Sequence, residues 1–156
     1  MLQSIAVHGT VLAATLAALT ACVLLQYEVL VLVYTRLARH RGGRRIKVVY
    51  AIFSVIALHV VEIWIFGATI WMVLLWPAAG SLYGPESADF FECVYLSAVT
   101  FSTVGFGDIA PVGAVRFLSA TEALTGFVLI TWSASFTYLE MEKFWRAEEM
   151  DQRSDL

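Results

Sequence analysis

The hexapeptide TVGFGD at 103–108 has the residue types and spacing to hold a dehydrated cation with backbone oxygens. Its two glycines stand at alternate positions and permit positive φ, so successive carbonyl groups can turn to the same side of the chain. A buried carbonyl without a partner is costly, and a cation without its water shell would satisfy a row of them. The Thr103 hydroxyl supplies one further oxygen below that row. The candidate ion-binding residues are Thr103, Val104, Gly105, Phe106 and Gly107.

The composition predicts that this segment lies in a membrane protein. Of the 156 residues, 60% are apolar and 15% are charged, and the mean hydropathy is +0.76. Soluble domains are about 45–50% apolar and about 25% charged. An ordinary water-soluble enzyme is therefore excluded, and neither a nucleophile–base arrangement nor a zinc-ligand spacing supports another kind of enzyme. We expect a single domain without a cofactor and without a nucleic-acid partner.

Three apolar stretches are long enough to cross a membrane, which takes about 20 residues. They are Val11–Thr35, Val48–Trp76 and Gly113–Leu139. A fourth stretch, Ser87–Ser102, is short for a span but suits a re-entrant half-helix that is surrounded by protein. The predicted fold is an all-α integral membrane protein with three transmembrane helices, a half-helix and the irregular segment 103–108.

The basic residues predict the orientation. Lys143, Arg146 and Arg153 lie after the last span, and Arg116 stands alone on the opposite side. Six more basic residues separate the first two spans: Arg36, Arg39, Arg41, Arg44, Arg45 and Lys47. The positive-inside rule places the N-terminus outside and the C-terminus in the cytoplasm of a multi-pass protein of the cell membrane. The six residues are also candidate contacts for anionic lipid. Their irregular spacing around Gly42-Gly43 does not suit a voltage sensor.

The hexapeptide resembles the selectivity filter of the potassium-channel pore-domain family, in which carbonyl oxygens replace the hydration shell of the ion. The resemblance includes the preceding VTFS at 99–102, Pro111, Arg116 and Gly126, and it covers roughly residues 48–139. It implies an outer helix at 48–76, a pore helix at 87–102, a filter at 103–108 and an inner helix at 113–139. Residues 1–47, the first helix and the basic loop, and the short cytoplasmic tail 140–156 lie outside it.

The resemblance also implies an assembly. A pore of this type needs four filter strands around one axis, and this chain supplies one, so a homotetramer is expected. Potassium would bind at Thr103, Val104, Gly105 and Phe106 and pass down its electrochemical gradient. Two alternatives are an auxiliary subunit that assembles with other pore chains and a subunit of a potassium transporter. The second is weaker, because such transporters join four pore repeats in one chain.

The filter departs from the common family pattern at two positions. Phe106 replaces the usual tyrosine, so we predict retained potassium selectivity with a less braced outer filter. Val99 occupies a position where some members carry a glutamate that clamps the residue equivalent to Asp108. Tyr95 occupies a position where voltage-gated relatives often have an aromatic donor. We predict that Tyr95 hydrogen-bonds Asp108; the alternative is that Tyr95 only packs in the half-helix.

Ionisable residues inside a membrane are functional candidates, because their cost has to be compensated. Glu122 lies on the last span, where related channels often carry glutamate, and is predicted to bond groups behind the filter. His59 and Glu62 are three residues apart and therefore share a helix face. The pair is predicted to be a structural polar contact, with a pH sensor as the alternative.

Gly126 matches the inner-helix glycine at which members of the family often bend, so it is a candidate gating hinge. The alternative is close helix packing, which small residues permit. Three residues at four-residue spacing continue one face of the same helix and are predicted to line the inner pore. They are Ile130, Ala134 and Tyr138.

The two cysteines, Cys22 and Cys93, lie in different apolar stretches and predict no disulfide framework. The sequence LTAC at 19–22 has the form of a lipoprotein processing box. However, no basic region precedes it, and the apolar run continues through Leu32. We therefore predict that the first span is retained and that both cysteines are small buried apolar residues.

Overall fold

A computed structural model of the chain describes residues 2–39, 44–84 and 88–154. Within these ranges the α-helices are α1 Leu2–Arg39, α2 Arg44–Leu74, α3 Phe90–Phe101 and α4 Arg116–Ser154. A short 3-10 turn, Pro77–Ala79, follows α2. Two short strands, β1 Ser81–Tyr83 and β2 Ala110–Val112, complete the order of elements.

Three of these helices are long and apolar enough to cross a membrane, over Ser4–Arg39, Arg45–Leu74 and Arg116–Lys143. The short apolar helix α3 has 12 residues, so it is about 18 Å long and does not reach across about 30 Å of hydrocarbon. The predicted all-α membrane fold, with three spans and one short helix, is therefore confirmed.

The short helix α3 is enclosed by the spans. It packs against α2 and α4, while α1 packs against both of these longer helices. All four helices contribute to one buried apolar cluster, which includes Cys22 of α1, Phe66 of α2, Cys93 and Phe101 of α3 and Leu118 of α4. Helix α1, although outside the region of resemblance, is thus an integral part of the packed subunit.

Glycines bring the backbones of α2 and α4 close to α3. A Cβ atom added at Gly67 of α2 would lie 2.7 Å from the Cα atom of Val94. A Cβ atom added at Gly126 of α4 would collide with the carbonyl oxygen of Phe101. Small residues allow this approach because they place no side chain between the helices. The short helix is therefore held closely on two sides.

The helices extend further than the apolar stretches suggest at their basic ends. Helix α1 continues to Arg39 and α2 begins at Arg44 rather than Val48, so most of the expected basic loop is helical. Residues 40–43, including Arg41, lie outside the described residues. Arginine and lysine are good helix formers, and cations in the last turn of a helix interact favourably with its dipole.

The last helix continues through most of the segment expected to be a short tail, as far as Ser154. Arg146 Nη2 donates to Glu142 Oε1 at 2.6 Å, the i,i+4 pair that supports a helix at this point. Lys143 and Glu140 form a second ion pair one turn earlier. Helix α4 is thus one unbroken element from Arg116 to Ser154.

Helix α3 begins at Phe90, three residues after the expected start; Ser87 lies outside the described residues. The carboxylate of Asp89 caps the helix, since its Oδ1 atom accepts a hydrogen bond of 2.8 Å from the Glu92 N–H. Aspartate at this position is strongly preferred because it satisfies a backbone donor that has no partner within the helix. The cap at Asp89 therefore explains why the helix begins at Phe90 and not at Ser87, where the predicted stretch begins.

Candidate functional site

The predicted filter, residues 103–108 (the filter segment), follows α3 as irregular backbone in which the sign of φ alternates. φ is +60° at Thr103, +55° at Gly105 and +81° at Gly107. Thr103 is the one non-glycine residue with positive φ in the described part of the chain, so φ is not positive at Val104 or Phe106. Positive φ is rare for a β-branched residue and indicates a functional constraint. An alternation of this kind turns successive carbonyl groups to one side.

Hydrogen bonds fasten the start of the filter segment to the end of α3. The Thr103 N–H donates to the Thr100 carbonyl at 2.9 Å, and the Gly105 N–H donates to the Val99 carbonyl at 3.0 Å. None of the carbonyl groups of 103–107 accepts a hydrogen bond from the residues that the structure describes. Two N–H groups of the segment are thus bonded within the subunit, whereas its carbonyl oxygens have no donor among the described residues.

The side chains of the segment are exposed in the single subunit. Val104 is 56% exposed and Phe106 is 71% exposed, although both are large apolar residues. Exposed apolar side chains beside unpartnered carbonyl groups mark a surface that other copies or other chains would cover.

The C-terminal end of the filter segment makes the hydrogen bond predicted from the sequence. The hydroxyl group of Tyr95 donates to Asp108 Oδ2 at 2.7 Å. The other carboxylate oxygen of Asp108 accepts a hydrogen bond of 3.1 Å from the Ile109 N–H. Asp108 is therefore held to α3 by Tyr95. The glutamate that clamps the equivalent residue in some family members is absent, because residue 99 is valine.

A small antiparallel sheet, which was not predicted from the sequence, positions the chain that leaves the filter segment. Strand β1 pairs with β2 in the register Ser81↔Val112, Leu82↔Pro111 and Tyr83↔Ala110. At Gly84, where φ is +114°, an added Cβ atom would collide with the carbonyl oxygen of Asp108. Strands of three residues are too short to show an alternating pattern. The glycines on either side of β1, Gly80 and Gly84, were the available signal.

Behind the filter segment, a buried polar contact joins three helices. Glu122 of α4 has no exposed surface, and its Oε1 atom is hydrogen-bonded to the hydroxyl group of Ser97 on α3. Ser97 Oγ also lies 2.8 Å from the Ile63 carbonyl of α2, to which it can donate. Glu122 thus bonds a group of the short helix, and its predicted support of the filter stays a prediction. Its partner Ser97 was missed, although a serine within an apolar half-helix was a signal.

The pair His59 and Glu62 is in contact. His59 Nδ1 lies 2.7 Å from Glu62 Oε2, and Glu62 has no exposed surface. The imidazole ring packs on Phe101, the last residue of α3, with 5.8 Å between ring centroids. The contact therefore links α2 to the base of the filter segment. Whether it senses pH stays a prediction.

At Gly126 the structure shows the close packing that was the alternative to a bend. Helix α4 passes through Gly126 without interruption, and the glycine lies against the Phe101 backbone. Its role as a hinge stays a prediction. Seven described residues of α4 border an apolar groove of about 410 Å³ between α2 and α4, and three of the seven were predicted to line the inner pore. These three are Ile130, Ala134 and Tyr138, all of which are exposed in the single subunit.

Gln26 connects the first helix to α4 and was missed by the sequence analysis. Its side chain is fully buried, and its Nε2 atom donates to the Leu129 carbonyl at 3.2 Å and to Ser133 Oγ at 2.8 Å. An amide in the middle of an apolar span was the available signal, because polar groups in a membrane need partners. Gln26 therefore fixes the position of α1 on α4.

Comparison with known proteins identifies this arrangement. A family profile described as "Ion channel" matches residues 58–142, more than half of the chain. The chain belongs to this ion channel family. The matched region contains the end of α2, all of α3, the filter segment and the spanning part of α4. Helix α1 and the first turns of α2 lie outside it.

Two curated relatives are similar to part of the channel. Protein LctB of Geobacillus stearothermophilus is 36% identical over 53 residues, which are 34% of this chain and 40% of the relative. Protein LctB of Bacillus caldotenax is 40% identical over 38 residues, which are 24% of this chain and 28% of the relative. The matches thus span less than half of each relative. No solved structure shows significant similarity to the chain.

Membership of the ion channel family decides two predictions, that the chain is not an enzyme and that it is a membrane protein with a pore domain. An ion channel moves ions and performs no covalent reaction, so the prediction that the chain is not an enzyme is confirmed. The spanning helices and the family together make it a membrane protein with an ion channel pore domain.

Proposed function

We propose that four copies of this channel assemble around the filter segment to form a pore that conducts potassium selectively and passively. The observation that carries the proposal is the alternation of positive φ at Thr103, Gly105 and Gly107. It supports a row of carbonyl groups facing one side, the arrangement that replaces the hydration shell of potassium in selectivity filters. One chain supplies one such row, and a ring of rows requires several copies.

The ion sites follow from that arrangement. The carbonyl groups of Val104, Gly105 and Phe106, together with the oxygens of Thr103, would bind potassium as the permeant ion. Unpartnered carbonyl oxygens in a membrane are costly, and dehydrated potassium would compensate them. Passive conduction along such a row requires no cofactor.

The proposed orientation has the N-terminus outside and the C-terminus in the cytoplasm of the cell membrane. Lys143 of α4 lies over the Tyr34 ring of α1, with 4.7 Å from Nζ to the ring centroid. Lys143 therefore lies beside the end of α1, which carries Arg36 and Arg39, and near the start of α2, which carries Arg45 and Lys47. This accumulation of basic residues at one end supports the positive-inside assignment.

The test is ion flux into liposomes that contain the purified channel alone. We expect potassium flux to exceed sodium flux by a factor of ten or more, and barium, which resembles potassium in size, to block it. Equal potassium and sodium fluxes would contradict selectivity. A folded protein that is silent alone, but purifies with another pore-forming chain, would favour the auxiliary-subunit alternative.

Replacing Tyr95 by phenylalanine is expected to speed the decline of flux during sustained conduction. The variant keeps the ring but loses the hydrogen bond to Asp108 Oδ2. A hydrogen bond to a charged group contributes about 1.5–3 kcal/mol, so its loss should make distortion of the outer end of the filter roughly ten to a hundred times more frequent. The measurement is the time course of potassium flux at constant gradient.

The matched control is Tyr83→Phe, because Tyr83 is 71% exposed and its hydroxyl group has no hydrogen-bond partner among the described residues. The control should decline at the rate of the unmodified channel. A Tyr95→Phe channel that also keeps this rate would show that Tyr95 only packs in α3.

A further inference from the structure

We infer that the cavity between the basic ends of α1 and α2 binds the phosphate headgroup of an anionic phospholipid. The cavity has a volume of about 200 Å³. Its described lining residues are Arg36, Leu37, Ile46, Lys47 and Tyr50. The site lies outside the region matched by the ion channel family, so it is a feature of the added helix in this chain.

The two cations at the cavity come from different helices. Arg36 is in the last turn of α1, and Lys47 is in the first turn of α2. Neither forms an ion pair or a side-chain hydrogen bond with the described residues, and the described lining contains no acidic residue. A guanidinium group suits a phosphate because its donors match two oxygens at once, and an ammonium group adds a point charge. Two cations that line one cavity and have no acidic partner among the described residues therefore favour an anion.

The rest of the lining distinguishes a lipid from a free phosphate. Leu37 and Ile46 are apolar, and Tyr50 combines an apolar ring with a hydroxyl group that can donate to a phosphate oxygen. Tyrosine is typical of the boundary between hydrocarbon and headgroups. A free phosphate would leave the apolar wall in contact with water, whereas a phospholipid would place its phosphate on the cations and its chains along the apolar residues.

The location agrees with this ligand. The cavity opens where two membrane spans end, and α1 and α2 extend about one turn beyond their apolar stretches at this place. Anionic lipids of the cytoplasmic leaflet attract basic residues close to the membrane. A lipid bound here would join the ends of α1 and α2. The inference does not depend on potassium selectivity, because it concerns binding at a site distant from the filter segment.

The test is thermal unfolding of the purified full-length channel in a neutral detergent with added lipid. Phosphatidylglycerol is expected to raise the unfolding temperature, whereas phosphatidylcholine, at the same concentration, should not. The double variant Arg36→Gln/Lys47→Gln should need at least ten times more phosphatidylglycerol for half of the effect. Inorganic phosphate is the third arm and should produce no comparable shift.

The matched control is Arg39→Gln/Arg45→Gln, which removes two charges from the same helix ends but none from the described lining. It should respond to phosphatidylglycerol like the unmodified channel. If both double variants lost the response to phosphatidylglycerol equally, the lipid would be attracted to the basic residues in general and not bound at this cavity. An equal rise in unfolding temperature with phosphatidylcholine or with inorganic phosphate would overturn the assignment of an anionic lipid. Should the double variant not fold, Lys47→Gln alone is expected to need about three times more phosphatidylglycerol, and an unchanged response would overturn the site.

Discussion

Replacing Gly126 by alanine is expected to destabilise the channel subunit strongly and to abolish most of its ion flux. The added methyl group would collide with the Phe101 carbonyl oxygen, and neither backbone can move without shifting α3 or α4. Overpacking typically costs about 1–3 kcal/mol, and a clash with backbone rather than with a flexible side chain belongs at the upper end. The measurement is the unfolding temperature in detergent, together with flux into liposomes.

Gly9→Ala is the control for Gly126→Ala. Gly9 is also within a spanning helix, but an added Cβ atom there meets nothing within 4 Å. Alanine is favoured over glycine in a helix by about 1 kcal/mol, so this variant should be as stable as the original or slightly more stable. If Gly126→Ala matched the control in stability and flux, the close contact with α3 would not exist in the working channel.

Replacing Gly107 by alanine is expected to remove the preference for potassium over sodium while leaving the subunit folded. A left-handed conformation costs a residue with a Cβ atom roughly 1–2 kcal/mol, and φ at Gly107 is +81°. Rotating the adjacent peptide bond relieves this cost and turns a carbonyl group out of the row. Since the proposed pore contains four copies, each ring of carbonyl oxygens at this level would lose all four of its correctly placed members.

The measurement is the ratio of potassium to sodium flux, which should fall at least tenfold in Gly107→Ala. No atom lies within 4 Å of the added Cβ atom in the subunit, so its unfolding temperature should change far less than that of Gly126→Ala. The two glycines thus separate a loss of selectivity from a loss of packing. An unchanged flux ratio in Gly107→Ala would contradict the assignment of 103–107 as the selectivity filter.

The parts of the site that depend on local sequence were predictable. The order of three spans, a short helix and an irregular segment follows from composition along the chain. The contact between Tyr95 and Asp108 was predictable because the residues are 13 positions apart and the segment between them resembles a known pattern. His59 and Glu62 were predictable for a simpler reason, since one helix turn brings them together.

Contacts between distant helices could not be derived in the same way. Ser97 is 25 residues from Glu122, and Gln26 is more than 100 residues from Leu129, so each pairing depends on how the helices are rotated against one another. Apolar stretches show that a helix lies in a membrane but not which of its faces meets protein. The close approach of Gly126 to Phe101 likewise depends on how α3 and α4 are placed against one another.

The contact between Gln26 and α4 has a consequence for the synthesis of the channel. Its partners, Leu129 and Ser133, follow it by 103 and 107 residues. At about 5–20 residues per second, the ribosome needs on the order of 5–20 s to make the intervening chain. During that interval the amide lacks its final partners, and an unpartnered amide within a bilayer is costly. A nascent chain that stops before Leu129 therefore lacks both groups to which the Gln26 amide donates, a chemical difference that distinguishes an interrupted subunit from a complete one.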